Sequence, residues 1–284
     1  MNPRTIASLH SARRDDIGDL VTRRPVPGPG LEQVDPFLFL NHHGPQHYPP
    51  NNAGLPFGPH PHRGFETVTF ILDGSLAHLD TGGGESIVRA GGVQWMTAGR
   101  GLIHAELSPE EFKRDGGPME ILQLWLNLPA RLKMTDPAYI PVKADEIPVH
   151  AIGEGVSMRV ISGTTDAPVD PLTGTMLAVV ELEAGGAATL PAPPGRSVLF
   201  YTVRGSISIE GSDVPAWTLA RLTDGDGVRV ASEGGAVLLY GHAEPLGEPV
   251  VAHGPFVMNT REEILAAMRD YQSGAFGDPA GIGA

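Results

Sequence analysis

The stretch Gly58-Pro59-His60-Pro61-His62-Arg63-Gly64-Phe65-Glu66 sets two imidazoles one residue apart, with a carboxylate four residues further on. On an extended chain residues i and i+2 point to the same side, so His60 and His62 reach into one space. Pro61 has no backbone N–H to give to a sheet, which places the pair at a strand start, a sheet edge or a loop. The β-branched run Glu66-Thr-Val-Thr-Phe-Ile-Leu72 follows at once. From here the chain reads as β in both directions.

Downstream, Asp73-Gly74 is a hairpin signal, with residues 75–80 as the expected returning partner. Further short strands are expected at 85–89, 93–97 and 102–106. Residues 121–128 alternate, with Gln123, Trp125 and Asn127 on one face. Leu122, Leu124, Leu126 and Leu128 take the other, which is the expected core face. Upstream, a short apolar run at 36–40 precedes residues 41–59. That segment is rich in Gly, Pro and Asn and reads as a solvated loop carrying His42, His43 and His47.

Residues 129–150 change to Pro, Lys, Asp and Glu, which predicts a boundary between domains 1–134 and 135–284. A second β series follows at 156–162, 175–183, 197–203, 206–210, 216–222, 227–231 and 236–241. Phe70-Ile-Leu-Asp-Gly-Ser-Leu76 and Tyr201-Thr-Val-Arg-Gly-Ser-Ile207 look like a degenerate repeat. Two copies of one barrel is the simplest all-β architecture. A short helix is expected near the C-terminus, where Thr260-Arg-Glu-Glu263 reads as a capping box. Ile264, Leu265, Met268 and Tyr271 form its apolar stripe.

Composition agrees with this reading. The 284 residues are 41% hydrophobic and include 37 Gly and 27 Pro, which punctuate short strands. The formal net charge of −13 argues against a direct grip on nucleic acid, which rests on Lys and Arg. With no cysteine, any metal site must be built from His, Asp and Glu. The start of the chain lacks the apolar run of a signal peptide, and no stretch approaches the ~20 apolar residues of a membrane span. A cytoplasmic protein without a membrane partner is expected.

His104-Ala105-Glu106 repeats the His60-Pro61-His62 geometry, with Gly99 and Gly101 upstream allowing a tight bend. Two such pairs on neighbouring strands converge. His60, His62, His104 and Glu106 then make a hard-to-borderline donor set suited to Fe(II), Mn, Ni, Cu or Zn. The competing reading is four surface polar residues on two strands. Glu66 has three candidate roles: fifth ligand, salt-bridge partner of Arg63, or acceptor for an imidazole N–H. The last is preferred because ligating histidines need such a partner. His78, His150, His242 and His253 show no partner pattern and read as structural or solvated.

Three motifs carry a family resemblance: His60-Pro-His-Arg-Gly-Phe-Glu-Thr-Val68, Gln94-Trp-Met-Thr-Ala-Gly-Arg-Gly101 with His104-Ala-Glu106, and Gly254-Pro-Phe-Val-Met-Asn-Thr260. In this order they resemble the signatures of the pirin family, two-domain members of the cupin superfamily. The resemblance implies an all-β bicupin fold of two face-to-face jelly-roll barrels, with the metal, usually iron, in the N-terminal one. By motif match its ligands are His60, His62, His104 and Glu106. In the general cupin pattern a glutamate of the first motif completes the site, whereas here Glu106 takes that place. In the second half, Pro191-Ala-Pro-Pro-Gly-Arg-Ser197 occupies the first-motif position without a His or carboxylate, so that barrel is expected to be metal-free. The resemblance further implies a quercetinase-type dioxygenase taking a flavonol-like aromatic molecule and O2. Glu106 would act as ligand and base, and Phe65, Trp95, Met96 and Leu102 as the apolar wall. The alternative it carries is a non-enzymatic iron-binding regulator that contacts a transcription factor or metabolic enzyme.

Overall fold

The computed structural model describes residues 2–282, and they fold as an all-β chain with short helices. The chain divides into two compact units. Arg14–Arg23, Phe39–Ala144 and the chain from Leu246 onward form one; the N-terminal residues through Arg13, Arg24–Leu38 and Asp145–Pro245 form the other. The expected boundary at 134/135 is therefore displaced to 144/145, and both chain ends change sides. The displacement has a local cause. Ala138–Val142, read as part of a linker, is a strand paired antiparallel with Val93–Thr97.

Two sheets build the barrel of the first unit. In one, the strand order is Phe57–His62, Leu102–Leu107, Ser75–Asp80, Glu85–Arg89. The other places Phe65–Asp73 between Val93–Thr97 and Gly117–Asn127, and continues through Phe37–Tyr48. The chain passes repeatedly from sheet to sheet, as a jelly roll requires. Gly64 makes one such passage at a φ of +89°, and a Cβ there would collide with the Val257 carbonyl oxygen. Asp73-Gly74 makes another, against the hairpin expectation. Both edges of Phe65–Asp73 are already paired, so Ser75–Asp80 crosses to the other sheet, between Leu102–Leu107 and Glu85–Arg89.

The segment 41–59 is not a solvated loop. Phe37–Tyr48 is a single strand, and Phe57–His62 another. His42 and His43 are buried because each has a partner: His42 Nε2 lies 2.7 Å from Glu120 Oε1, and His43 Nδ1 2.8 Å from Thr22 Oγ1. His47 alone of the three is exposed.

In the second unit, long strands Val149–Ser162, Met176–Pro191, Ser197–Ile209 and Ala236–Ala243 enclose a packed apolar interior. Val180, Phe200, Ile207, Leu238 and Tyr240 are wholly buried there. The repeated Gly-Ser step behaves differently here. Ser197–Ile209 runs on as one strand, with an irregularity between Thr202 and Arg204, and its far end pairs with Ser212–Pro215.

The helix Arg261–Gln272 carries the expected capping box, with Glu263 N–H donating to Thr260 Oγ1 at 3.2 Å and Thr260 N–H to Glu263 Oε2 at 2.9 Å. Its buried face is Ile264 and Ala267 with Met268, while Leu265 and Tyr271 are exposed, which corrects the predicted stripe. That face packs on Ile103 and Ala105, which flank His104 in sequence.

Candidate metal centre

Phe57–His62 is the edge strand of its sheet, and Pro61 is opposite Ile103 in the ladder with Leu102–Leu107. His60 pairs directly with His104 in that register. One potential ligand atom from each of His60, His62 and His104 lies within 4.8 Å of the others. Two of the rings have their tautomers set by backbone. His60 Nδ1 donates to the Gly58 carbonyl at 2.8 Å and His62 Nδ1 to the Pro255 carbonyl at 3.4 Å. Each is left with a lone pair on Nε2.

His104 is buried, and neither of its nitrogens has a hydrogen-bond partner. A buried imidazole with both nitrogens unsatisfied is costly and needs an explanation. A metal on one nitrogen supplies it. Burial, then repulsion from His60, draws His62 down to about 3. Burial, then the charges of His62, His60 and His78, holds His104 well below its ordinary value. Both are therefore neutral near pH 7, the state that ligates. The donor set fits a borderline divalent ion.

Glu106, expected as the fourth ligand, is buried on the His104 strand but does not join the group of three histidines, and both of its oxygens already have partners. Its Oε1 accepts from Thr69 Oγ1 at 3.0 Å and its Oε2 from Gln123 Nε2 at 2.5 Å. Gln123 Oε1 in turn accepts from Trp125 Nε1 at 3.4 Å. The alternating strand 121–127 thus turns its half-buried Gln123 and Trp125 to the site, and its wholly buried leucines to the opposite side.

Glu66 lies on that opposite side. It is cross-strand from Leu126, and its Oε1 accepts from Trp95 Nε1 at 3.0 Å and Thr97 Oγ1 at 2.7 Å. The expectation that it accepts an imidazole N–H is corrected, because the passage at Gly64 puts Glu66 on a different strand from His62. Arg63 pairs instead with Asp270 at 2.8 Å. Burial pushes the Glu66 carboxyl above its usual range. Trp95 leaves the expected apolar wall for the same reason. Phe65 belongs to it, 5.0 Å from His62 between ring centroids, and Trp125 joins it at 5.4 Å. Phe39 stacks on Trp125 at 4.6 Å. Met96 and Leu102 pack with Ala98 and Tyr139.

His78 is the residue that spacing understated. It pairs across the ladder with Glu106, and its ring lies 5.3 Å from that of His104. Its Nε2 donates to Asp80 Oδ2 at 2.7 Å, and Tyr139 stacks on it at 3.7 Å. His78-Leu79-Asp80 has the same i, i+2 form as the other two pairs, and that signal was present in the sequence.

Residues 19–126 match the profile of the family described as Pirin, and residues 177–277 that of the Pirin C-terminal cupin domain. The chain belongs to the pirin family. A pirin-like protein of Caulobacter vibrioides is 40% identical over 253 residues, 87% of this chain and 90% of that one. The crystal structure of a quercetin 2,3-dioxygenase from Acinetobacter baumannii superposes with a TM-score of 0.91 at 32% identity, covering 97% of this chain and 99% of that one. A bacterial pirin from Escherichia coli, solved with nickel(II), shares the fold at a TM-score of 0.68 and 18% identity, over 84% of this chain and 99% of that one. The bicupin fold of the pirins is thus the fold of this chain. No helix of the described residues is long and apolar enough to cross a membrane.

Proposed function

We propose that this pirin is a metal-dependent dioxygenase that opens the heterocyclic ring of a flavonol, with His60, His62 and His104 as ligands of a divalent ion, Fe(II) first among them. The observation that carries the reading is the buried, unsatisfied His104 ring beside two imidazoles whose Nε2 lone pairs are set toward ligation. Similarity to the quercetin 2,3-dioxygenase of Acinetobacter baumannii supports the substrate class. When bound, the metal supplies Lewis acidity and lowers the pKa of a hydroxyl that reaches it.

The chain's own residues supply the rest. Glu106 accepts the proton of the substrate 3-hydroxyl at a carboxylate oxygen. The donors Thr69 and Gln123, one on each oxygen, hold that carboxylate in place. Phe65 and Trp125, with Phe39 behind, present flat apolar rings beside His62 for an aromatic ligand. In the net reaction a flavonol and O2 give a ring-opened ester and carbon monoxide.

Protein loaded anaerobically with Fe(II), mixed with quercetin and then O2, is expected to release carbon monoxide. Absence of turnover with every flavonol offered removes the enzyme reading. His62→Ala is expected to lose the roughly one metal per chain that a single site implies; undiminished metal content refutes the ligand assignment.

A further inference from the structure

We infer that the C-terminal segment 251–277 is part of the metal centre, with Pro255, Arg63 and Asp270 as positioning residues for His62, so that metal binding and docking of this segment are linked. The inference rests on the reading of His60, His62 and His104 as metal ligands.

The segment begins as a hairpin, Val251–His253 with Phe256–Met258, and its turn residue Pro255 supplies the carbonyl that holds His62 Nδ1. At 3.4 Å that bond is long, and what fixes it lies alongside. Arg63 N–H donates to the same Pro255 carbonyl at 3.3 Å, and Val257 N–H returns to the Arg63 carbonyl at 3.0 Å. The hairpin is thus stitched to the backbone one residue beyond the histidine.

The Arg63 side chain extends the stitch. It is buried, and its Nε donates to the Arg100 carbonyl at 2.6 Å, its Nη1 to Asp270 Oδ2 at 2.8 Å. The guanidinium lies 4.6 Å from the Phe276 ring centroid. One side chain therefore joins the neighbour of His62 to three places: the C-terminal helix, the turn after it, and the glycine bend that leads into the His104 strand. Gly101 in that bend is needed for the same packing, since a Cβ there would meet the Phe276 ring at 2.5 Å.

The His104 strand is tied to the segment independently. Thr81 Oγ1 donates to the Phe276 carbonyl at 2.6 Å and accepts from Ile103 N–H at 3.1 Å. Ile103 and Ala105, on either side of His104, bury against Phe256, Met258, Ile264, Ala267 and Phe276. The segment thus touches the His62 ring directly and the His104 strand through the residues on either side of His104.

Groups that orient a ligand from behind alter metal affinity by about 10–100-fold when removed. Coupling of this kind is reciprocal: whatever tightens metal binding on docking must tighten docking on metal binding. The test uses Co(II) as the probe. Affinity is read from its visible absorption, and docking from amide hydrogen exchange across 251–277. Asp270→Asn, which leaves Arg63 buried without its counter-charge, is expected to bind Co(II) about tenfold more weakly with an unchanged far-UV spectrum. Asp270→Glu is expected to restore the affinity. Phe276→Leu, which removes the ring beneath Arg63 but stays apolar, is expected to weaken binding in the same sense. In the unsubstituted protein, Co(II) is expected to slow exchange at Val257 and its neighbours.

Wild-type affinity in both variants, or exchange across 251–277 that is indifferent to Co(II), overturns the inference while leaving the ligand set standing. An unsubstituted protein that takes up no Co(II) overturns the metal reading itself, and this inference with it.

Discussion

Lys133 offers a test in which the magnitude follows from the surroundings of a single atom. Its Nζ is buried and donates to the Gly64 carbonyl at 2.9 Å, to Asn127 Oδ1 at 2.7 Å and to the Val257 carbonyl at 3.0 Å. All three acceptors are neutral, so the ammonium is well hydrogen-bonded but has no carboxylate bonded to it. Burial pulls Lys133 down to about 8, with Glu248 and Glu263 opposing from further away. A lysine whose folded pKa is depressed costs the folded state most below that pKa, and the cost fades as pH rises toward the unfolded value of 10.5. At pH 7 the cost is about 3 kcal/mol, and by pH 9 it has fallen by about 1.4 kcal/mol.

Lys133→Met keeps the length and removes the three donors. At about 1–2 kcal/mol for each of the three orphaned acceptors, less the relieved cost of about 3 kcal/mol for burying the charge, a loss of ~0–3 kcal/mol is expected at pH 7. That gap should widen by about 1.4 kcal/mol at pH 9, because only the wild type gains from deprotonation. Guanidinium midpoints of both proteins at the two pH values measure it, since groups other than Lys133 cancel in the comparison. A gap that stays constant or narrows with rising pH refutes the reasoning.

Three further outcomes are expected. Glu66→Gln should change stability at pH 7 by less than about 1 kcal/mol and leave Co(II) uptake intact, because the buried carboxyl is held toward its neutral form and the amide oxygen still accepts from Trp95 and Thr97; loss of metal in this variant would return Glu66 to the site. His242 is drawn down to about 4, by burial and then by Arg196, whose Nε donates to its Nδ1 at 2.9 Å. Its stabilising neutral form is fully in force above the unfolded value of 6.5 and is lost as pH falls toward 4, so His242→Gln should remove up to about 2 kcal/mol of the acid-side decline after allowance for solvent screening; identical urea midpoints against pH in the two proteins would contradict this. Gln123→Ala frees one oxygen of Glu106 and should lower kcat on quercetin by about tenfold at unchanged metal content; an unaltered kcat would show that the carboxylate needs no such support.

The fold class was legible because its signals are local. Period-two alternation, glycine and proline punctuation and a complete capping box at Thr260 each act within a few residues, and the strands at 85–89, 93–97 and 102–106 and the helix lie where those signals put them. Less legible was which side of a strand faces the site. The alternation at 121–128 separated leucines from Gln123 and Trp125, and Leu122, Leu124, Leu126 and Leu128 are wholly buried, as a core face requires. What the alternation left open is that the other face, where Gln123 and Trp125 are half-buried, holds Glu106. Likewise His42 and His43 looked solvated among glycine, proline and asparagine, since Glu120 and Thr22 are distant in sequence.

The sequence by itself determined the ligand candidates, because an i, i+2 pair shares a strand face whatever the rest of the chain does. Tertiary structure alone decided three things: that His104 lies directly across the ladder from His60, that Glu66 turns away at Gly64, and that a hairpin some 190 residues downstream supplies the carbonyl behind His62. Strand geometry is written in neighbouring residues, whereas the partner of an imidazole N–H is whichever group the packed chain leaves within hydrogen-bonding reach.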